Sequence, residues 1–291
     1  MKPAKKPMSF KNRNALIGYA FLAPWLIGVL VFVAYPFFYS IFLSFTEVSL
    51  SNGIQTTFVG MRWYREAFTA DTEFITDLLD TLKFVVMSTP MIVIASLIIA
   101  LLLNGKYRGR LFFRGLFFFP VIITSGPVIS ELLTNNAANI VRPEKYVVYA
   151  FISTLPAVLS VPLLYVFDNI VLILWFSGVQ ILVYLSGLQK IGPSVHEAAA
   201  IDGASAWQVF WKIILPFIKP MILVNAVYTL VELSAFSGNA INRQFTPEKM
   251  TAHGKVYGYA SALSWIYFLC VFALLGIVFL LLRERMGRKK G

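Results

Sequence analysis

The sequence predicts an all-α polytopic membrane protein, and three observations carry that prediction. Hydrophobic side chains make up 58% of the 291 residues and charged ones 13%, against roughly half and about a quarter in a soluble domain. The mean hydropathy of +0.74 leaves too little polar surface to coat a water-soluble globule of this size. Charge-free stretches recur at 14–46, 84–105, 115–130, 146–167, 169–189, 220–231 and 256–282, and a bilayer core needs about 20 apolar helical residues.

Taken in order, residues 1–14 form a basic tail carrying Lys2, Lys5, Lys6, Lys11 and Arg13. The apolar run behind it is too long for a signal-peptide core and lacks a small-x-small cleavage site, so it reads as a first span that is retained. Pro24 and Pro36 kink or bound that helix. One transmembrane domain then covers 15–285, with six expected transmembrane helices at about 16–44, 83–103, 112–133, 166–188, 218–237 and 258–282. Residues 146–165, interrupted by Pro156 and Pro162, are expected to stay outside as a broken or re-entrant segment. A short basic tail, 286–291, ends the chain.

Charge sets the orientation. With both termini cytoplasmic, the inside segments hold 17 of the 25 Lys and Arg residues, as cytoplasmic loops should. The 46–82 loop, placed outside, holds Glu47, Glu66, Asp71, Glu73, Asp77 and Asp80. If 146–165 also crossed, every later segment would invert and the basic C-terminus would face out. The net charge of +11 therefore flanks spans and forms no continuous groove for nucleic acid.

The chemistry-bearing residues exclude several functions. The single cysteine, Cys270, can form no internal disulfide and sits in an apolar run. His196 and His253 are too few and too far apart for a metal site, and no phosphate-binding Gly-x-x-x-x-Gly-Lys-Ser/Thr loop exists. No paired carboxylates or nucleophile constellation suggest catalysis. The expectation is no enzyme activity, no metal and no cofactor.

The loop between the fourth and fifth expected spans, 190–216, is the most informative segment. Ser194 with Glu197, and Ser205 with Gln208, have the spacing of capping boxes. A first helix is expected at about 195–202, ending at Gly203, and a second at about 206–215, ending before Pro216. Trp207, Phe210, Trp211 and Ile214 fall on one apolar stripe of that second helix. Physics alone leaves two readings open: a helical hairpin lying on lipid headgroups, or a small-sided helix that a partner surface approaches closely.

The pattern Glu197-Ala198-Ala199-x-x-Asp202-Gly203-Ala204, followed by Leu215-Pro216 and Pro220, resembles the EAA loop of membrane subunits of binding-protein-dependent ABC importers. Leu185-x-Gly187-Leu188-Gln189-x-Ile191 and Phe113-Arg114-x-x-Phe117-Phe118-x-Pro120 are similar to the carbohydrate branch. Ala23-Pro24, Tyr35-Pro36 and Tyr257-Gly258-x-Ala260-Ser261-Ala262 look like its first-subunit permease, so the resemblance runs over about 15–285. Gly192 before Pro193 departs from the family pattern, as does the apolar character of 135–165.

The resemblance implies a permease of the maltose and glycerol-phosphate type in a prokaryotic cell membrane. Its partners would be a second, homologous permease, two cytoplasmic ATPase subunits and an extracellular or periplasmic solute-binding protein that delivers a sugar or oligosaccharide. Glu197, Ala198, Ala199, Asp202 and Gly203 would be the coupling residues set against the ATPase. A permease for another solute class and an ion-gradient-driven secondary transporter are the alternatives. The latter often carries inverted half-repeats, and this chain shows none.

Charged residues at membrane depth are suspected of function. Glu131 and Asp168 sit near the outer ends of their expected spans, where water reaches them. Asn225, Tyr228 and Glu232 share one face of the fifth span at i, i+3 and i+7. They are candidates for a sugar path or, alternatively, for polar packing between helices. Trp175 and Tyr184 read as interface anchors or packing.

Overall fold

A computed structural model describes residues 10–49, 55–105, 112, 115, 147–246 and 257–283. The described chain is dominated by helix, and its contacts divide it into two compact units.

The first unit comprises the described residues of Met1–Thr72 and Gln244–Phe268. It begins with α1 (Phe10–Val29), a π-turn (Leu30–Ala34) and α2 (Tyr35–Ser44) in unbroken succession. Within this run Ile17–Ser44 is long and apolar enough to cross a membrane. The π-turn ends two residues before Pro36, and Tyr35 N–H bonds to Leu30 O. A proline ring crowds the carbonyl four residues back and offers it no N–H. Widening the turn just before the ring lets the helix continue.

A hairpin follows, β1 (Thr46–Ser49) against β2 (Gln55–Phe58), antiparallel with Thr46 opposite Phe58. Short α3 (Arg62–Thr69) is held to it by Trp63, whose indole N–H donates to Thr46 O at 2.9 Å. Arg62 pairs with Glu47 at 3.2 Å, and Tyr64 O–H donates to Ser44 Oγ at 2.8 Å.

The second unit comprises the described residues of Glu73–Arg243 and Leu269–Gly291. Its longest helix, α4, spans Thr72–Asn104 and buries a stripe of small and polar residues including Asp77, Thr81, Ser88 and Ser96. Small residues let helices approach closely in a membrane. Ser96 Oγ is satisfied within its own helix by Ile92 O, as buried hydroxyls in apolar helices must be.

Next come α5 (Val147–Ser153), α6 (Ala157–Asp168), α7 (Ile170–Phe176) and α8 (Gly178–Leu188). The single span expected over 166–188 is not one helix. Residues 147–165 are largely helical, and α6 and α7 meet at a 70° bend as a broken apolar pair. Asn169 makes the break: its Nδ2 donates to Tyr165 O at 2.9 Å. An asparagine side chain competes in this way with helix continuation.

After α9 (Pro193–Ile201), α10 (Ala206–Val209), a second π-turn (Phe210–Ile214) and α11 (Leu215–Ser234) form one continuous rod. The helix does not stop before Pro216, as the sequence reading expects. The π-turn again ends two residues before the proline, with Leu215 N–H bonded to Phe210 O. The chain closes with α12 (Gly258–Leu282), whose first residues belong to the first unit and whose remainder belongs to the second.

Among the described residues, four helices are long and apolar enough to span a bilayer: Ile17–Ser44, Thr72–Asn104, Ala206–Ser234 and Gly258–Leu282. The α6–α7 pair is a fifth if taken as one broken span. The span expected at 112–133 lies outside the described residues except for Phe112 and Gly115, and Glu131 lies outside them too.

The core of the second unit is built where α4, α8 and α11 meet. Val93, Ala100 and Leu103 pack with Ile181, Tyr184, Leu185 and Leu188, and with Ile218 and Ala226. Val85 and Ile92 pack with Ile173, Phe176, Leu230, Leu233 and Phe236. Beyond the end of α11, a 3-10 turn (Ala240–Phe245) is fastened back onto α4: Thr81 Oγ1 accepts from Ile241 N–H at 3.0 Å. Arg243 donates to Asp77 at 2.5 Å, with the Asp77 side chain only 4% exposed. Hydrogen bonds to charged groups contribute about 1.5–3 kcal/mol. Arg243→Ala is therefore expected to lower the thermal midpoint of the purified protein, with a loss of about 2 kcal/mol. An unchanged midpoint would show that the turn is held by other contacts.

Candidate functional site

Two features are built from the residues that the sequence singles out. The first is the loop carrying the Glu-Ala-Ala pattern. α9 begins at Pro193 with Gly192 as its N-cap, in an extended conformation and without a side-chain cap. The capping box expected from Ser194 and Glu197 does not form. Proline at the first helical position already fixes the helical φ and needs no N–H partner, so the helix starts earlier than Ser194 allows. The extra Gly192 thereby acquires a role as the helix start.

The other end of α9 follows expectation. Gly203 has φ +71°, a left-handed conformation that glycine adopts without steric cost. Gly203 N–H bonds to Ala200 O at 3.1 Å and Ala204 N–H to Ala199 O at 2.9 Å. This pair of bonds is a Schellman motif, which satisfies the carbonyls a helix end leaves open. The second capping box does form: Gln208 N–H donates to Ser205 Oγ at 3.3 Å, and Ser205 N–H donates to Gln208 Oε1 at 2.9 Å. The loop is thus two helices joined by a defined glycine bend.

Its surface is open. Glu197, Ala198, Asp202 and Gly203 are exposed, while Ala199 is buried. Ile201 is 87% exposed and Trp207 69%. The apolar stripe read from sequence divides: Trp207 and Trp211 are exposed, whereas Ile214 packs on the core beside Ile218. Trp207 and Trp211 meet edge to face, with centroids 5.4 Å apart.

The second feature is a polar seam between α8 and α11. Gln180, fully buried, donates through Nε2 to Thr229 Oγ1 at 2.9 Å and to Glu232 Oε2 at 3.2 Å. Asn225, also fully buried, donates through Nδ2 to Gln180 O at 3.2 Å. Of the three path candidates, Asn225 and Glu232 therefore turn toward α8, while Tyr228 is 41% exposed on the flank.

Gln180 and Thr229 were missed in the sequence because neither is charged and α8 shows no polar stripe to mark them. Tyr184 is fully buried in the core cluster, so it is packing and not an interface anchor. Asp168 is exposed at the end of α6. Among the described residues, no group of three or more His, Cys, Asp or Glu side chains could hold a metal ion.

The comparisons with known proteins agree with this architecture. Residues 69–290 match the family described as binding-protein-dependent transport system inner membrane component. The probable ABC transporter permease protein YesP of Bacillus subtilis is 30% identical over 92% of this chain and 90% of its own length. The multiple sugar-binding transport system permease protein MsmF of Streptococcus mutans is 31% identical over 90% of this chain and 93% of its own. A crystal structure of a bacterial ABC transporter involved in the import of the acidic polysaccharide alginate shares the fold. Its TM-score is 0.65 at 20% identity, over 95% of this chain and 98% of that one. The family match covers most of the chain and includes the Glu-Ala-Ala loop, so the chain belongs to the family of binding-protein-dependent transport system inner membrane components.

Proposed function

We propose that the chain is one of two permease subunits of an ATP-driven carbohydrate importer. The observation that carries this reading is the exposed helix, glycine bend and helix at 193–214, which bears the Glu-Ala-Ala and Asp-Gly residues of the coupling loop. Relatives named as sugar permeases over most of this chain support the solute class.

In this reading the chain crosses a prokaryotic cell membrane six times with both termini in the cytoplasm. α9 docks in a groove of a separate ATPase subunit. Glu197, Ala198, Ala199, Asp202 and Gly203 form that contact. ATP closes the ATPase dimer and moves α9. Because α10 continues into α11 as one rod, a displacement of the loop is delivered directly to the membrane helix. A second, homologous permease completes the path, and an external solute-binding protein delivers the sugar. Asn225, Tyr228 and Glu232 line the path, with Gln180 orienting the Glu232 carboxylate. Sugar hydroxyls need both donors and acceptors, which this seam supplies. The permease itself performs no catalysis; ATP hydrolysis belongs to the partner.

The test is to tag the protein in its native host, extract it in mild detergent and identify what co-purifies. A phosphate-loop ATPase and a second six-span permease are expected. A homodimer or lone protein under several gentle extractions would overturn the reading and favour an ion-driven transporter.

A further inference from the structure

A carboxylate in an apolar helical protein is costly unless a cation or water meets it. Glu232 is such a group. It stands in the last turn of α11, two residues before Ser234, at the end of the helix away from the 193–214 loop. The residue is half-buried. Its carboxylate accepts from Gln180 Nε2 at 3.2 Å, a neutral donor that holds the oxygen without cancelling its charge. Among the described residues no Lys or Arg pairs with it.

The surrounding helices supply no compensating charge. Over the described stretches 84–105, 147–189, 220–242 and 269–282 of the second unit, the charged residues are Asp168 and Glu232, both acids. Two cations at that end of the unit, Arg243 and Lys83, have acids of their own. Arg243 is committed to Asp77, and Lys83 lies 3.7 Å from Asp80 with its side chain turned to the surface. Low-dielectric walls that carry one sign of charge focus its field into the space they enclose. The face bearing Tyr228 and Glu232, one turn apart on α11, therefore presents a negative potential. A solute with hydroxyl groups alone meets it without repulsion, and its hydroxyls can donate to the carboxylate. An anionic solute meets a like charge with no guanidinium or ammonium to offset it, and such juxtaposition rejects wrong partners.

We infer that Glu232 is a charge filter at the outer mouth of the solute path, admitting uncharged saccharides and rejecting acidic ones such as uronates. This deepens the permease reading above and rests on it. Gln180 positions the carboxylate, and the filter acts in addition to the choice made by the external binding protein.

The chain has a single cysteine, so in a Cys270→Ser background an introduced thiol is the only one in this chain. Tyr228, 41% exposed and four residues before Glu232, is the place for it, since side chains so spaced on a helix stand about 6 Å apart. Tyr228→Cys is combined with Glu232, with Glu232→Gln and with Glu232→Asp. The whole complex, nucleotide-free and trapped with ATP and vanadate, is treated with cationic MTSET, anionic MTSES and neutral MTSEH. Rates are normalised to MTSEH, which cancels changes in the thiol's own reactivity. A unit charge about 6 Å away, at a dielectric between those of a protein surface and water, changes such a rate about tenfold. With Glu232 present, MTSES is expected to react about tenfold more slowly, and MTSET about tenfold faster, than with Glu232→Gln. Glu232→Asp is expected to keep the discrimination. Equal normalised rates with Glu232 and Glu232→Gln would overturn the filter while leaving the path reading in place. A Glu232→Asp chain that behaves like Glu232→Gln would assign the effect to side-chain shape and would overturn the filter too. A thiol at position 228 that none of the reagents reaches in either state would overturn the path reading, and the filter with it.

Discussion

Gly258→Ala is expected to prevent the protein from accumulating in the membrane, or to lower its thermal midpoint sharply. A Cβ at this position would stand 2.0 Å from Thr46 O and 2.9 Å from Trp63 Nε1. The first of these is backbone, which cannot rotate out of the way. The second is half of the hydrogen bond that fixes α3 to β1. The added methyl therefore overpacks the contact, at about 1–3 kcal/mol, and disrupts a buried hydrogen bond worth a further 1–3 kcal/mol, roughly. Neighbouring contacts cannot absorb the shift. Tyr259 O–H donates to Asp71 Oδ2 at 2.7 Å, and Trp265 N–H to Ser40 Oγ at 3.1 Å. Both fix the start of α12 to the same unit. Wild-type levels and an unchanged midpoint would mean that α12 can slide, and the close approach would lose its importance.

Gly203→Val should act quite differently, by uncoupling transport in a protein that still inserts. Nothing lies within 4 Å of a Cβ at Gly203, so no clash threatens the fold. The difficulty is torsional. At φ +71° an L-residue costs about 1–2 kcal/mol, and a β-branched one more. The strain is relieved by abandoning the bonds from Gly203 and Ala204 to the end of α9, which re-aims α9 against the rod formed by α10 and α11. In the reconstituted complex, the ATPase rate is expected to stop responding to the loaded binding protein. Uptake should fall by about tenfold, equivalent to 1.4 kcal/mol of lost coupling. Normal uptake would remove the coupling role from the bend. Gly203→Asn, which tolerates the left-handed region better, should retain more activity than the valine variant.

The segment 193–214 shows how far residue order alone reaches. The Gly203 bend and the Ser205–Gln208 box are local devices, set by residues within a few positions of each other, and they stand where their spacing put them. The Ser194–Glu197 box has the same spacing and does not form, because Pro193 supplies a better helix start one residue earlier. Pro216 misled in the opposite direction. The helix was expected to end before it, yet it is carried through by a π-turn just upstream, as the helix that contains Pro36 also is. That choice depends on an apolar helix whose surroundings offer no alternative partner for backbone groups.

Composition and the spacing of charge determined by themselves that this is a helical membrane protein, and the Glu-Ala-Ala pattern with its glycine marked the exposed loop. Those properties reside in long apolar runs and in i to i+4 neighbours, which any reader of the chain can count. Tertiary structure alone decided which polar side chains meet. Gln180 and Thr229 are uncharged residues 49 positions apart, and only the packing of α8 on α11 brings them to Glu232. It decided also that Asn169 breaks an apolar stretch by 70°, and that Gly258 must have no side chain because a strand carbonyl some 200 residues earlier occupies the space. The physical reason is common to all three. In an apolar environment an unpaired polar group or a blocked approach is costly wherever its partner lies in the chain, and sequence distance carries no record of that partner.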